Sequence, residues 1–146
     1  MSTHVATVRW ERTSTDFTYN SYNRAHTWAI AGQEILASSA PEFRGDSMRV
    51  NPEEAFVASL SSCHMLTFLA IAARKGIPVE RYTDTAEGTL ELQNGKLRMT
   101  RVVLRPYVEF GGTPPSVETL KHMHVQSHAD CFIANSVTTE VLVEPE

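Results

Sequence analysis

Residues 51–76 read NPEEAFVASLSSCHMLTFLAIAARKG, and this stretch decides the architecture. It opens as a helix does: Asn51 can cap it, Pro52 suits the first helical position, and Glu53 and Glu54 sit against the positive end of the dipole. Arg74 and Lys75 suit the negative end, Gly76 the left-handed exit, and Pro78 stops continuation. Between these ends Phe56, Val57, Leu60, Met65, Leu66, Phe68, Leu69 and Ile71 leave no polar face, so the helix must be covered on all sides. One small domain has difficulty enclosing about 35 Å of such helix. The expectation is a homodimer built around it. Ser59, Ser61, Ser62, His64 and Thr67 interrupt the apolar run, and nothing flanks it like an interfacial anchor, so a buried helix is expected rather than a membrane span.

Upstream, residues 6–11, 17–22, 25–30 and 34–38 read as strands, with a turn at Ala31-Gly32. Residues 41–50, PEFRGDSMRV, read as a loop long enough to carry function. Downstream, residues 83–93 and 96–108 flank Asn94-Gly95, a strong hairpin signal. Ser116 caps a second helix to about residue 129, amphipathic through Val117, Leu120, Met123 and Val125. The β-branched segment 136–143 reads as a closing strand. Together these elements make a single α+β domain over residues 1–146, with helices packed on antiparallel sheets.

Composition narrows the function classes. Thirteen Lys and Arg against 17 Asp and Glu give a net charge of −4, with the basic residues scattered, which argues against nucleic-acid and membrane-surface partners. There is no phosphate-binding glycine loop, no dinucleotide fingerprint and no serine in a strand-to-helix elbow. The first ten residues show no apolar leader, so a cytoplasmic location is expected, and two cysteines there are not read as a structural staple.

That leaves the thiols. Cys63 lies mid-helix in Ser61-Ser62-Cys63-His64, and Cys131 falls just past the second helix. Either can be a plain buried residue behaving as a small hydrophobe. The two serines and a histidine around Cys63 are odd in so apolar a helix unless a pocket or an interface runs past them. A working thiol must ionise: at a pKa near 8.5 only about 3% is thiolate at pH 7, against about 90% at a pKa near 6. The helix N-terminus is too far from mid-helix to supply that gain. A cation must, and Arg24, Arg44 and Arg49 are the candidates. Glu53 suits the task of orienting such an arginine, although it also reads as a first-turn dipole residue. Ten positions before Cys63, it is about 15 Å away along a straight helix. His64 is poorly placed as a base for Cys63, because adjacent helix residues diverge. His122, His124 and His128, with the cysteines, offer a rival metal set, but their spacing fits no standard zinc module.

The two cysteine neighbourhoods together resemble the OsmC/Ohr family of thiol-dependent peroxidases. The first is Asn51-Pro52-Glu53-Glu54 leading to Ser62-Cys63; the second is Ala129-Asp130-Cys131 followed by Asn135-Ser136 and a final strand. The resemblance implies an OsmC-like fold, an intertwined homodimer around central helices, and active sites at the interface. It implies that Cys63 is the peroxidatic nucleophile, Cys131 the resolving thiol and Glu53 the holder of the activating arginine. The Ohr branch of the family points to Arg24 and the OsmC branch to Arg44. The chain departs from the family at Phe132, where many members have proline, and at His64, where many have an aromatic residue. These departures bear on the preferred hydroperoxide and reductant more than on the chemistry.

The function expected is therefore reduction of organic hydroperoxides through a Cys63 sulfenic acid and a Cys63–Cys131 disulfide. An external dithiol is the reductant, and neither metal nor organic cofactor is expected. The alternative is a non-enzymatic redox-sensing or small-ligand-binding dimer on the same fold.

Overall fold

The computed structural model describes residues 1–146. The chain divides into two compact units, Met1–Ala55 and Phe56–Glu146.

The first unit is a three-stranded antiparallel meander of β1 (Ala6–Arg9), β2 (His26–Ile30) and β3 (Gln33–Ala37). The β2–β3 hairpin turns on Ala31-Gly32, both at positive φ (51° and 74°), and pairs Ile30 with Gln33. That two-residue geometry matches the right-handed twist of the strands. The strand expected over 17–22 is instead a turn: the Ser21 and Tyr22 amides both donate to the Thr18 carbonyl at 3.1 Å, and Thr18 Oγ1 donates to Ser21 Oγ at 2.8 Å. Thr18 and Ser21 offer the backbone local partners that outcompete a ladder. Phe17 and Tyr22 pack on Trp10 rather than into a sheet. The loop expected at 41–50 holds one short 3-10 turn, Pro41–Phe43. Gly45 is obligatory there, since a side chain would meet the Ser39 carbonyl oxygen at 1.5 Å.

Helix α1 (Pro52–Arg74) opens with a reciprocal cap, as its sequence implies. The Glu54 amide donates to Asn51 Oδ1 at 2.8 Å and the Asn51 amide donates to Glu54 Oε2 at 3.0 Å. Its exit places Gly76 at φ 67°. Within the chain only one stripe of α1 is buried, Leu60, His64, Phe68 and Ala72, at four-residue spacing. By composition the helix is apolar enough to cross a bilayer, yet that stripe is committed to protein core.

The second unit carries β4 (Val79–Asp84), β5 (Glu87–Gln93), β6 (Lys96–Leu104), β7 (Pro106–Phe110), α2 (Val117–Asp130) and β8 (Glu140–Val143). The β5–β6 hairpin turns on Asn94-Gly95 with Gln93 opposite Lys96, as expected. The two long strands expected here, 83–93 and 96–108, are each broken, the first between β4 and β5 and the second at Arg105 between β6 and β7. Asp84 is the reason. Its Oδ1 accepts the Arg105 amide at 2.7 Å and its Oδ2 accepts Ser61 Oγ at 2.5 Å, tying the break in both ribbons to α1. The result is two sheets, β4–β7 and β5–β6–β8. All pairings are antiparallel except that β8 joins β6 in parallel. Leu60 of α1 packs with Val102 and Leu104 of β6, and Phe68 and Ala72 pack with Met123 of α2.

Candidate active site

The second unit brings the two thiols together. Cys63 is half-buried on α1, and Cys131 is 1% exposed at the C-cap of α2. Local bonds fix the exit of α2: the Asn135 amide donates to the Cys131 carbonyl at 3.0 Å, and Asn135 Nδ2 donates to the Ala129 carbonyl at 3.0 Å. This turns the chain so that Cys131 Sγ accepts the Ala134 amide at 3.4 Å, with the Ile133 amide also directed at it. Burial pushes the Cys131 thiol pKa up, and a hydrogen bond to Cys63 adds to the rise, against the lowering effect of the two amides. Cys131 thus favours its protonated form, with its hydrogen bond directed at Cys63.

Around the thiols the histidines sort themselves by burial. His64 and His124 are both buried, with His64 Nε2 3.1 Å from His124 Nδ1 and the rings parallel. His124 also stacks on Phe68, with ring centroids 4.6 Å apart. Burial lowers both pKa values to about 4; the charges of His124 and His128 add to the effect on His64. His122 and His128 are exposed. No group of three or more His, Cys, Asp or Glu side chains gathers in metal-binding geometry. Nothing local to either histidine signals the His64–His124 pair beyond their apolar surroundings.

The arginines and Glu53 belong to the first unit. Arg24 is half-buried and bonded locally through two of its five N–H donors: Nη1 donates to the Tyr22 carbonyl and Nη2 to the Tyr19 carbonyl, both at 2.6 Å, and the guanidinium lies 3.6 Å from the Tyr22 ring centroid. Arg44 is exposed, at φ 66° after the 3-10 turn, with its guanidinium 5.9 Å from the Tyr19 ring. Arg49 donates to the His26 carbonyl at 3.2 Å and stands 3.8 Å from Asp46. Within this unit none of the three pairs with Glu53, whose buried Oε2 has no partner. Arg24 and Glu53 do line one cavity of about 520 Å³, walled by Trp10, Phe17, Tyr22 and Phe43.

A family model described as OsmC-like protein matches residues 45–146. A solved OsmC-like protein of unknown function from Vibrio cholerae is 51% identical, covers 100% of both chains and superposes with a TM-score of 0.95. An organic hydroperoxide resistance protein OsmC from Legionella pneumophila shares the fold at 18% identity and a TM-score of 0.74, over 99% of this chain and 96% of its own. The Bacillus subtilis protein YmaD is 22% identical over 119 residues, 80% of this chain and 79% of its own. With an OsmC-like fold over its whole length, a family match over residues 45–146 and both cysteine motifs in order, the chain belongs to the OsmC/Ohr family.

Proposed function

We propose that the protein is a thiol-dependent peroxidase that reduces organic hydroperoxides to alcohols. The observation that carries this reading is the proximity of a partly buried thiol, Cys63, to a buried one, Cys131, from a distant part of the chain. The name borne by the Legionella relative supports the same chemistry.

In the cycle, the Cys63 thiolate attacks the distal oxygen of ROOH. The O–O bond breaks, RO⁻ takes a proton and leaves as alcohol, and Cys63 becomes a sulfenic acid. Cys131 then attacks that sulfur; the S–O bond breaks, water leaves and a Cys63–Cys131 disulfide closes. An external dithiol returns both thiols by exchange, becoming a disulfide itself. An arginine oriented by Glu53 stabilises the Cys63 thiolate and the charge on the departing oxygen. Arg24 is the favoured residue, since it and Glu53 line the same cavity. The working unit is a homodimer, which covers the faces of α1 that one chain leaves open.

The test is a thiol count with intact mass after one equivalent of an organic hydroperoxide, then with dithiol added. Loss of both thiols with a mass drop of two hydrogens, followed by repeated turnover with dithiol, is the result expected. Two unreacted thiols would sink the peroxidase reading, and a single consumption without recycling would turn it into that of a redox sensor.

A further inference from the structure

In the resolving step Cys131 Sγ must carry negative charge as it attacks the Cys63 sulfenic acid, because the thiolate is the nucleophile. Its surroundings oppose that charge. Cys131 is 1% exposed and sits at the C-cap of α2. Burial penalises a thiolate there, and so does the negative end of the helix dipole. The titratable group that acts on it is Cys63 of α1, which also pushes the thiol pKa up. Asp130, its neighbour in the chain, is held by Gln126 Nε2 at 2.8 Å, and His128 is exposed.

Against these stand the backbone amides of Ile133 and Ala134, the second 3.4 Å from Cys131 Sγ. Hydrogen bonds to an ionised partner are roughly twice as strong as neutral ones. The amides therefore help most while charge develops on the sulfur, and less in the resting thiol. What keeps them in place is the turn that leaves α2. Asn135 closes it twice, its amide donating to the Cys131 carbonyl and its Nδ2 to the Ala129 carbonyl, both at 3.0 Å. Ser136 adds a bond from Oγ to the Phe132 carbonyl at 2.7 Å. Both residues are exposed, and their bonds shape the backbone around one atom, Cys131 Sγ.

We propose that Asn135 is a positioning residue for disulfide closure, holding the Ala134 amide on Cys131 Sγ while that sulfur attacks the Cys63 sulfenic acid. The S–S bond forms as the S–O bond breaks, and the Cys131 proton leaves with the departing hydroxide as water. The assignment rests on the peroxidase reading and confines Asn135 to the second chemical step.

The experiment is rapid-quench mass spectrometry of the reduced full-length protein with one equivalent of cumene hydroperoxide. Dimedone in the quench captures the sulfenic acid, so oxidation of Cys63 and closure of the disulfide are timed separately. Asn135→Ala should oxidise Cys63 at the parent rate but close the disulfide about three- to tenfold more slowly, the scale of one neutral hydrogen bond. The sulfenic acid should accumulate as a result. Ser136→Ala loosens the same turn by one bond and should slow the same step by a smaller factor; it carries the test if Asn135→Ala does not fold. A second readout needs no peroxide. In a Cys63→Ala background thiolate absorbance titrates Cys131 alone, and adding Asn135→Ala should raise its pKa. Closure at the parent rate in both variants, or equal slowing of both steps, overturns the role of Asn135. A lowered Cys131 pKa means that water replaces the amide, and overturns it as well. Parent thiols that never react overturn instead the peroxidase reading, and the step that Asn135 serves goes with it.

Discussion

His64 and His124, 60 residues apart in the chain, meet through a 3.1 Å N···N contact in the core of the second unit. Because burial holds both near pKa 4, folding there is tied to their neutrality. Above pH 6.5 the two are neutral folded or unfolded, and contribute no pH dependence. Between 6.5 and 4 the unfolded chain binds protons that the folded chain refuses, so stability falls as pH falls, by up to roughly 1.4 kcal/mol per pH unit for each histidine. Below about pH 4 the loss is complete. Urea midpoints at pH 7.5, 6.0 and 5.0 should decline in that order. A His64→Phe, His124→Phe double variant should flatten the decline between 6.5 and 5, a window above the range where carboxylates titrate.

Asp84 gives a second stability prediction. It is the shared acceptor for Ser61 Oγ and the Arg105 amide, and so holds the point where two ribbons separate into two sheets. Asp84→Ala strands both donors and should cost about 2–4 kcal/mol, read as a lowered denaturant midpoint. Asp84→Asn keeps an acceptor for one of them and should recover roughly half of the loss. Equal stability of Asp84→Ala and the parent would mean the break is set by the flanking strands instead.

What could be read from the sequence follows from the range of the interactions involved. The Asn51–Glu54 cap, the Gly76 exit and the Ala31-Gly32 and Asn94-Gly95 turns are decided within a few residues, and all four stand where the residues put them. The split of the long strands is decided by Asp84 acting on residues 21 and 23 positions away, which no local pattern reveals. Strand propensity also misled at 17–22, where hydroxyl-to-backbone bonds win. The same holds at the site. Cys63 and Cys131 were legible as candidates from their neighbourhoods, but their meeting depends on how α2 ends and on Asn135 turning the chain. The His64–His124 contact depends on the packing of α1 against α2.

The apolar faces of α1 make a prediction about assembly. Leu66 is 60% exposed within one chain, opposite the buried stripe of Leu60, His64, Phe68 and Ala72. Burying such a side chain is worth about 1.5–3 kcal/mol, and an unpaired charge in its place costs more than that. The parent protein should therefore have the mass of a dimer by light scattering, and Leu66→Glu should shift it to monomer or to aggregates. A monomeric parent, or a Leu66→Glu variant that stays dimeric, would remove α1 from the interface.

Glu53 separates a role in catalysis from a role in the helix. If it serves only the α1 dipole, Glu53→Gln costs about 0.3–1 kcal/mol of stability and leaves peroxide reduction untouched. If it orients the arginine that holds the Cys63 thiolate, the balance reverses. In that case the rate of Cys63 oxidation in Glu53→Gln should fall by about 10²–10³, the scale of losing one positioned charge contact. Arg24→Lys should fall by a similar factor, because a lysine cannot make the bidentate contact, whereas Arg44→Lys should be near parent. A pH–rate profile decides whether the thiolate is the quantity affected: in Glu53→Gln and Arg24→Lys the rate should recover toward the parent value as pH rises and the thiol ionises unaided. A rate loss equal at every pH would assign both residues to holding the peroxide rather than the sulfur.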